Sequence, residues 1–294
     1  MTFLHLSRTP DLLHACDQAI REQHMLSIVG QSGSGKTKLL WYYLREHLRT
    51  RFPQRSPRIV YSCLWEPHSK TGTKVSTPAA CMTFAEITAG LADISRQYDT
   101  ELIHSTKLWY RKPQSTATDR QFLSLFVFVR DELRRLQIDA LIIDNATHLD
   151  RTAMQRLVDL RTHYRLNLGI ILCATTPEDH GGSEQLKRVI TTIVPADDYQ
   201  GDVLLPYPTQ HEVEYQILTF ILKHHHLSPK TVDAPTLARI IASFWTETHG
   251  NWHQIMRLSR RLGAILAQRP QPLTEQLWEQ VIGKKLPPNE TASL

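Results

Sequence analysis

The chain has 294 residues, 41% of them hydrophobic and 21% charged, an ordinary balance for a globular protein and a length that suits one large domain with a smaller companion. No apolar run approaches the roughly 18 residues of a membrane span, and Met1 to Pro10 lack the apolar stretch of a secretory signal. Four scattered cysteines (Cys16, Cys63, Cys81, Cys173) form no CxxC pair, which speaks against a disulfide framework or zinc site and for a reducing cytoplasm, and the net charge of +5 permits a nucleic-acid partner without requiring one.

In chain order, a helix is expected near Asp11–Gln23, then a buried strand at Met25–Val29. A glycine-rich loop follows, Gly30-Gln31-Ser32-Gly33-Ser34-Gly35-Lys36-Thr37. Lys38–Arg49 carries Leu39, Leu40, Tyr43, Leu44 and Leu48 at helical spacing. Ile59–Leu64 reads as a second strand, His68–Pro78 as a loop and Ala79–Tyr98 as a helix. Lys107–Thr118 is basic, aromatic and polar, hence a surface segment. Asp119–Gln137 places Phe122, Leu125, Phe126, Val129, Leu133 and Leu136 on one helical side.

Asp139–Asp144 and Leu168–Ala174 read as further buried strands around a helix at Thr152–Tyr164. The strands are apolar throughout and alternate with helices, the signature of a parallel sheet covered on both faces. The expected fold is α/β over residues 1–208, followed by an α-helical domain over 209–283 and a flexible tail over 284–294.

Gly30, Gly35, Lys36 and Thr37 satisfy the spacing G-x-x-x-x-G-K-[ST], with a strand before and a helix after. Glycines let the amides of Gly30, Ser32, Gly33, Ser34 and Gly35 turn toward phosphate oxygens, and the helix N-terminus adds its positive end. Lys36 would reach the β- and γ-phosphates of ATP, and the Thr37 hydroxyl would ligate Mg²⁺. Asp144 ends its strand at the edge where ligands bind in such sheets, and is the second candidate for the metal. Asn145 follows where many phosphate-loop ATPases place a Glu that polarises the attacking water. An amide has no useful basicity, so hydrolysis is expected to be slow, in the manner of a nucleotide switch. Glu66 and His148 are the alternative candidates for that task.

The order of phosphate loop, Ile142-Ile143-Asp144, Ile171-Leu172-Cys173-Ala174-Thr175-Thr176-Pro177, Leu186-Lys187-Arg188, Leu204–Thr209 and helical domain resembles an AAA+ ATPase. Within that superfamily it looks most like the TnsC/TniB transposition regulators, with origin-recognition ATPases a more distant likeness. The resemblance covers about residues 10 to 268. It implies that Thr175 or Thr176 senses the γ-phosphate and that Arg188 is an arginine finger reaching a neighbour's ATP. Gly250-Asn251-Trp252-His253 falls at the second sensor motif, where His253 stands in place of the usual Arg and Arg257 lies one turn later.

The resemblance also implies a homo-oligomer, ring or filament, on double-stranded DNA with a transposase and a target-selector protein as partners. Lys107, Trp109, Arg111 and Lys112, with Lys70 and Lys74, interleave cations and aromatics suited to a nucleic-acid backbone; Arg120 and Arg165 are further candidates. A signalling or defence NTPase without DNA, and a replication initiator or helicase loader, are the rival functions. His224-His225-His226 point three ways on a helix and make a poor metal site. Leu258, Leu262, Ile265 and Leu266 form a core stripe of the helical domain.

Overall fold

The computed structural model describes residues 9–52, 57–64, 83–91, 119–176, 188 and 190–283. They divide into two compact units, one of Arg8–Gln31 with Lys36–Leu205, the other of Ser32–Gly35 with Pro206–Leu294.

In the first unit, α1 (Thr9–Arg21) leads into β1 (Met25–Gln31), and α2 (Lys36–Tyr42) runs through a π turn (Tyr43–His47) into α3 (Leu48–Arg51). β2 (Ile59–Cys63), α4 (83–91), α5 (Asp119–Arg135), β3 (Ala140–Asp144), α6 (Arg151–Thr162), β4 (Gly169–Thr176) and β5 (Tyr199–Leu204) follow. The five strands form one sheet in the order β2-β3-β4-β1-β5, and every pairing is parallel. Parallel neighbours need crossover connections, and helices supply them. β3 is buried along its whole length, as its unbroken Ala140-Leu141-Ile142-Ile143 run requires.

The core joins the sheet to α4, α5 and α6. Phe84, Ile87 and Leu91 of α4, Phe126, Val129 and Leu133 of α5, and Met154, Leu157 and Val158 of α6 pack with Leu141, Ile143, Ile170 and Leu172. Of the anticipated stripe, Phe126, Val129, Leu133 and Leu136 are buried and Leu125 partly so, while the Phe122 side chain lies outside the described residues. Two features depart from the sequence expectation. β5 was not anticipated, and its half-exposed pattern explains why: an edge strand needs no continuous apolar run. The helix after the phosphate loop is not uniform, because the π turn inserts one extra residue per turn between α2 and α3.

That turn carries Tyr43 and His47 to a buried carboxylate. Asp17, 2% exposed, accepts from the Tyr43 hydroxyl at 3.0 Å, lies 3.0 Å from His47 Nε2 and pairs with Arg51 Nε at 3.3 Å. Three partners offset the cost of burying the charge and tie α1 to the α2–α3 helix.

The second unit contains, besides the loop tip, a π turn (Glu212–Ile217) continuing as α7 (Leu218–His224), then α8 (Ala234–Thr248), α9 (Trp252–Gln268) and α10 (Glu275–Ile282). Its core is Val213, Ile217, Ile221, Leu222, Ile240, Phe244, Ile255, Leu258, Leu262, Leu277 and Trp278. Ile265 and Leu266 pack against this core partly buried. Side-chain caps open three of these helices: Asp233, Asn251 and Thr274 accept from the first-turn amides. No helix among the described residues is long and apolar enough to cross a membrane.

Replacing Asp17 with Ala strips the buried Tyr43 hydroxyl of its acceptor, so the chain should lose about 1–3 kcal/mol of stability. Urea denaturation followed by tryptophan fluorescence and circular dichroism would register the lowered midpoint.

Candidate nucleotide site

Gly33 and Gly35 sit at φ +79° and +97°, a region that side chains disfavour. Such turns let successive amides point the same way, which makes an anion-binding concavity. α2 begins at Lys36, so the amides of its first turn and its positive dipole end open onto the same loop. Lys36 is 7% exposed and donates from Nζ to the Gly30 and Gln31 carbonyls, both at 2.8 Å. Burial holds its ammonium below the ordinary lysine pKa, with the nearby Asp144 carboxylate pulling the other way. A buried ammonium held by two carbonyls of its own loop is poised to exchange them for phosphate oxygens.

The register of the sheet brings the second motif alongside. β1 pairs with β4 so that Gly30 lies opposite Thr175 and Gln31 opposite Thr176. β3 lies on the other side of β4, with Asp144 opposite Cys173, and opposite Cys63 of β2. Asp144 is 2% exposed. Its Oδ2 accepts from Thr37 Oγ1 at 2.7 Å and from the Tyr61 hydroxyl at 2.9 Å, and its Oδ1 accepts from the Asn145 amide at 2.9 Å. Thr37 and Asp144, 107 residues apart in sequence, thus meet at the carboxyl edge of the sheet. A hydroxyl and a carboxylate are the hard oxygen donors that magnesium prefers, so these residues fit the ion that the motifs call for.

Burial, together with the Asp144 charge, pushes up the pKa values of the Cys173 and Cys63 thiols and the Tyr61 phenol. All three stay protonated around the carboxylate. Cys173 also hydrogen-bonds Asp144. Tyr61 is a site residue that sequence reasoning missed, because a strand tyrosine reads as core; its position on β2 two residues before Cys63 becomes informative once the β2–β3 register is known.

Asn145 adopts the left-handed region at φ 58°, which asparagine tolerates better than most residues. Its Nδ2 donates to the Leu64 carbonyl at 3.1 Å and faces Cys63 Sγ at 3.6 Å. The side chain is therefore committed to the tip of β2. The Thr176 side chain, the His148 side chain and Glu66 lie outside the described residues. Arg188 is exposed, and its carbonyl accepts from Thr191 and Thr192.

In the second unit, the loop tip is held by its carbonyls. The Tyr207 hydroxyl donates to Ser32 O at 2.6 Å, and the Trp252 amide donates to Gly33 O at 2.8 Å. A Cβ on Gly33 would stand 2.4 Å from Asn251 Oδ1 and 2.9 Å from His253 Cδ2, so glycine is required there sterically as well as conformationally. His253 and Arg257 are exposed at the start of α9. Lys70, Lys74, Lys107, Trp109, Arg111 and Lys112 all lie outside the described residues, as does the side chain of Arg120; Arg165 is exposed, at φ 52°.

A family model described as an AAA domain matches residues 19–180, more than half of the chain. The chain belongs to the AAA-domain family. No curated protein matches the sequence. Among solved structures, it is similar to the ORC2 protein of Aeropyrum pernix in its ADP form, with TM-score 0.61, 11% identity, and coverage of 96% of this chain and 69% of that one. The Walker-type ATPase PABY2304 of Pyrococcus abyssi aligns with TM-score 0.57 and 14% identity over 95% and 71% of the two chains. Drosophila ORC bound to DNA gives TM-score 0.55 and 11% identity over 94% and 59%. At these identities the likeness is one of fold: a P-loop AAA domain with a helical C-terminal region.

Tyr61→Phe removes a hydrogen bond that orients Asp144, and partners of this kind are worth about 10–100-fold in metal affinity. Calorimetry should show magnesium-dependent nucleotide binding weakened to that extent, with metal-free binding unchanged.

Proposed function

We propose that the chain is an ATP-dependent AAA+ regulator of DNA transposition that oligomerises on double-stranded DNA, as a ring or a helical filament, and links target selection to a transposase. The nucleotide half of this reading rests on one observation, the 2.7 Å pairing of Thr37 with Asp144 beside the buried Lys36. In it, Lys36 and the loop amides grip the β- and γ-phosphates, and Thr37 and Asp144 hold magnesium. Bound there, magnesium draws charge from the phosphate oxygens. Thr175 or Thr176 senses the γ-phosphate, and Arg188 completes a neighbour's site. Because Asn145 carries no basicity, turnover is slow and ATP acts chiefly as the glue between protomers.

The transposition assignment is supported by the order of motifs and the chain size, which resemble TnsC/TniB regulators. Duplex DNA as a partner is supported by the structural neighbour solved in complex with DNA, and by the cation–aromatic segment Lys107-Leu108-Trp109-Tyr110-Arg111-Lys112. Contacts of that kind go to the phosphate backbone and make binding indifferent to sequence. The origin-recognition neighbours favour a second reading, a replication initiator or helicase-loader ATPase acting on DNA with the same nucleotide chemistry.

A gel shift with duplex DNA and a slowly hydrolysed ATP analogue tests the proposal, with electron micrographs of the same sample. Rings or filaments that need both DNA and nucleotide, and that vanish in Lys36→Ala, are expected. Nucleotide-driven assembly that ignores DNA would favour a signalling-type module instead. Arg188→Ala should keep ATP affinity within about twofold while abolishing assembly and cutting turnover by about 10³-fold or more, the usual weight of an arginine finger. Sedimentation and phosphate release would measure the two effects.

A further inference from the structure

The amide of Asn145 cannot take a proton from water, yet α4, packed on β2, carries the Glu86 carboxylate, whose charge helps to raise the pKa of the Cys63 thiol. α4 packs on β2 with Phe84, Ile87 and Leu91 in the core beside Val60 and Leu64. Its backbone approaches most closely at Gly90, where a Cβ would stand 2.7 Å from Val60 Cγ1 and 3.0 Å from the Tyr61 carbonyl. Glu86 lies one turn earlier on the same side of the helix, about 6 Å along its axis. Residue 90 sits over residues 60 and 61, and the Glu86 charge is felt at Cys63, so α4 runs opposite to β2. Helical side chains tilt toward the N-terminus of their helix. That tilt directs Glu86 toward the carboxyl edge of the sheet, where Cys63 lies level with Asp144.

We propose that Glu86 is the general base of this chain's slow ATP hydrolysis, acting from α4 and not from the position after Asp144, where Asn145 has no basicity. In the step, the oxygen of a water forms a bond to the γ-phosphorus while the bond from that phosphorus to the β–γ bridging oxygen breaks. ADP leaves with the bond's electron pair, and the Glu86 carboxylate takes the water's proton and later returns it to solvent. Burial raises the pKa of Glu86 above the usual glutamate value, which makes the carboxylate a stronger base once ionised. The Glu86 charge acts on the Cys63 thiol of β2, whose Sγ is also the neighbour of Asn145 Nδ2, and the Asp144 charge acts on that same thiol. Base, amide and metal-binding carboxylate therefore cluster around the tip of β2.

This inference rests on the nucleotide-site reading above, and the experiment separates the two. The full chain, Glu86→Gln, Lys36→Ala and the double variant Glu86→Gln with Asn145→Asp are compared for magnesium-ATP affinity by calorimetry and for single-turnover phosphate release from pH 5 to 9. Glu86→Gln should bind magnesium-ATP within about twofold of the parent and release phosphate about 10²-fold more slowly or worse, the usual weight of a general base. The parent rate should fall about tenfold per pH unit below the Glu86 pKa, a limb that Glu86→Gln lacks. The double variant should recover part of the rate, since Asp is at home in the left-handed conformation of residue 145. Unchanged turnover in Glu86→Gln, persistence of its acid limb, a loss of its ATP affinity, or a parent chain that binds ATP without cleaving it would each overturn the assignment. A parent chain that does not bind magnesium-ATP would sink the nucleotide site itself.

Discussion

A carboxylate buried at the end of a fully buried strand is costly unless its oxygens are met by donors, and the arrangement of this protein follows from meeting Asp144. Oδ2 takes the hydroxyls of Thr37 and Tyr61, and Oδ1 takes the Asn145 amide. Those contacts reach from β3 to the phosphate loop and to β2, so one charge pins the relative heights of strands that are far apart in sequence. Any slip in the β2–β3 or β3–β4 register would move Asp144 away from Thr37 and leave a buried charge without its partner.

Much of this could be read from the residues. Gly30, Gly35, Lys36 and Thr37 name the loop by spacing, and the apolar run ending in Asp144 names the strand, because a parallel sheet covered on both faces leaves little choice of residue type. The class of fold follows from the same alternation. What the sequence conceals is lateral. Nothing in Ile59–Cys63 says that Tyr61 will donate to a residue 83 positions later; strand order decides that. β5 hides for the opposite reason: Gln200, Gly201 and Asp202 carry no apolar period, and an edge strand with one neighbour needs none. Glu86 lies in a helix whose existence was expected, but its orientation depends on Gly90 letting α4 close onto β2.

Asn145 shows how one residue type serves two constraints. The chain must turn sharply after β3, and it does so at positive φ. Asparagine accepts that conformation and uses its amide to cap the end of β2 through the Leu64 carbonyl. A glutamate there would meet greater backbone strain and would leave that carbonyl without the same donor. Within this fold, the loss of basicity beside Asp144 accompanies a turn built for structure.

The hold on the loop tip has a further effect. Tyr207 and Trp252 occupy the carbonyl oxygens of Ser32 and Gly33. Each carbonyl belongs to the same peptide plane as the N–H of the following residue, Gly33 or Ser34. Donation to the oxygen draws electron density through the conjugated amide and leaves the hydrogen more acidic, so bonds in series strengthen one another. The two peptides are thus prepolarised from behind, and an anion approaching their hydrogens meets stronger dipoles than an isolated glycine-rich turn would present.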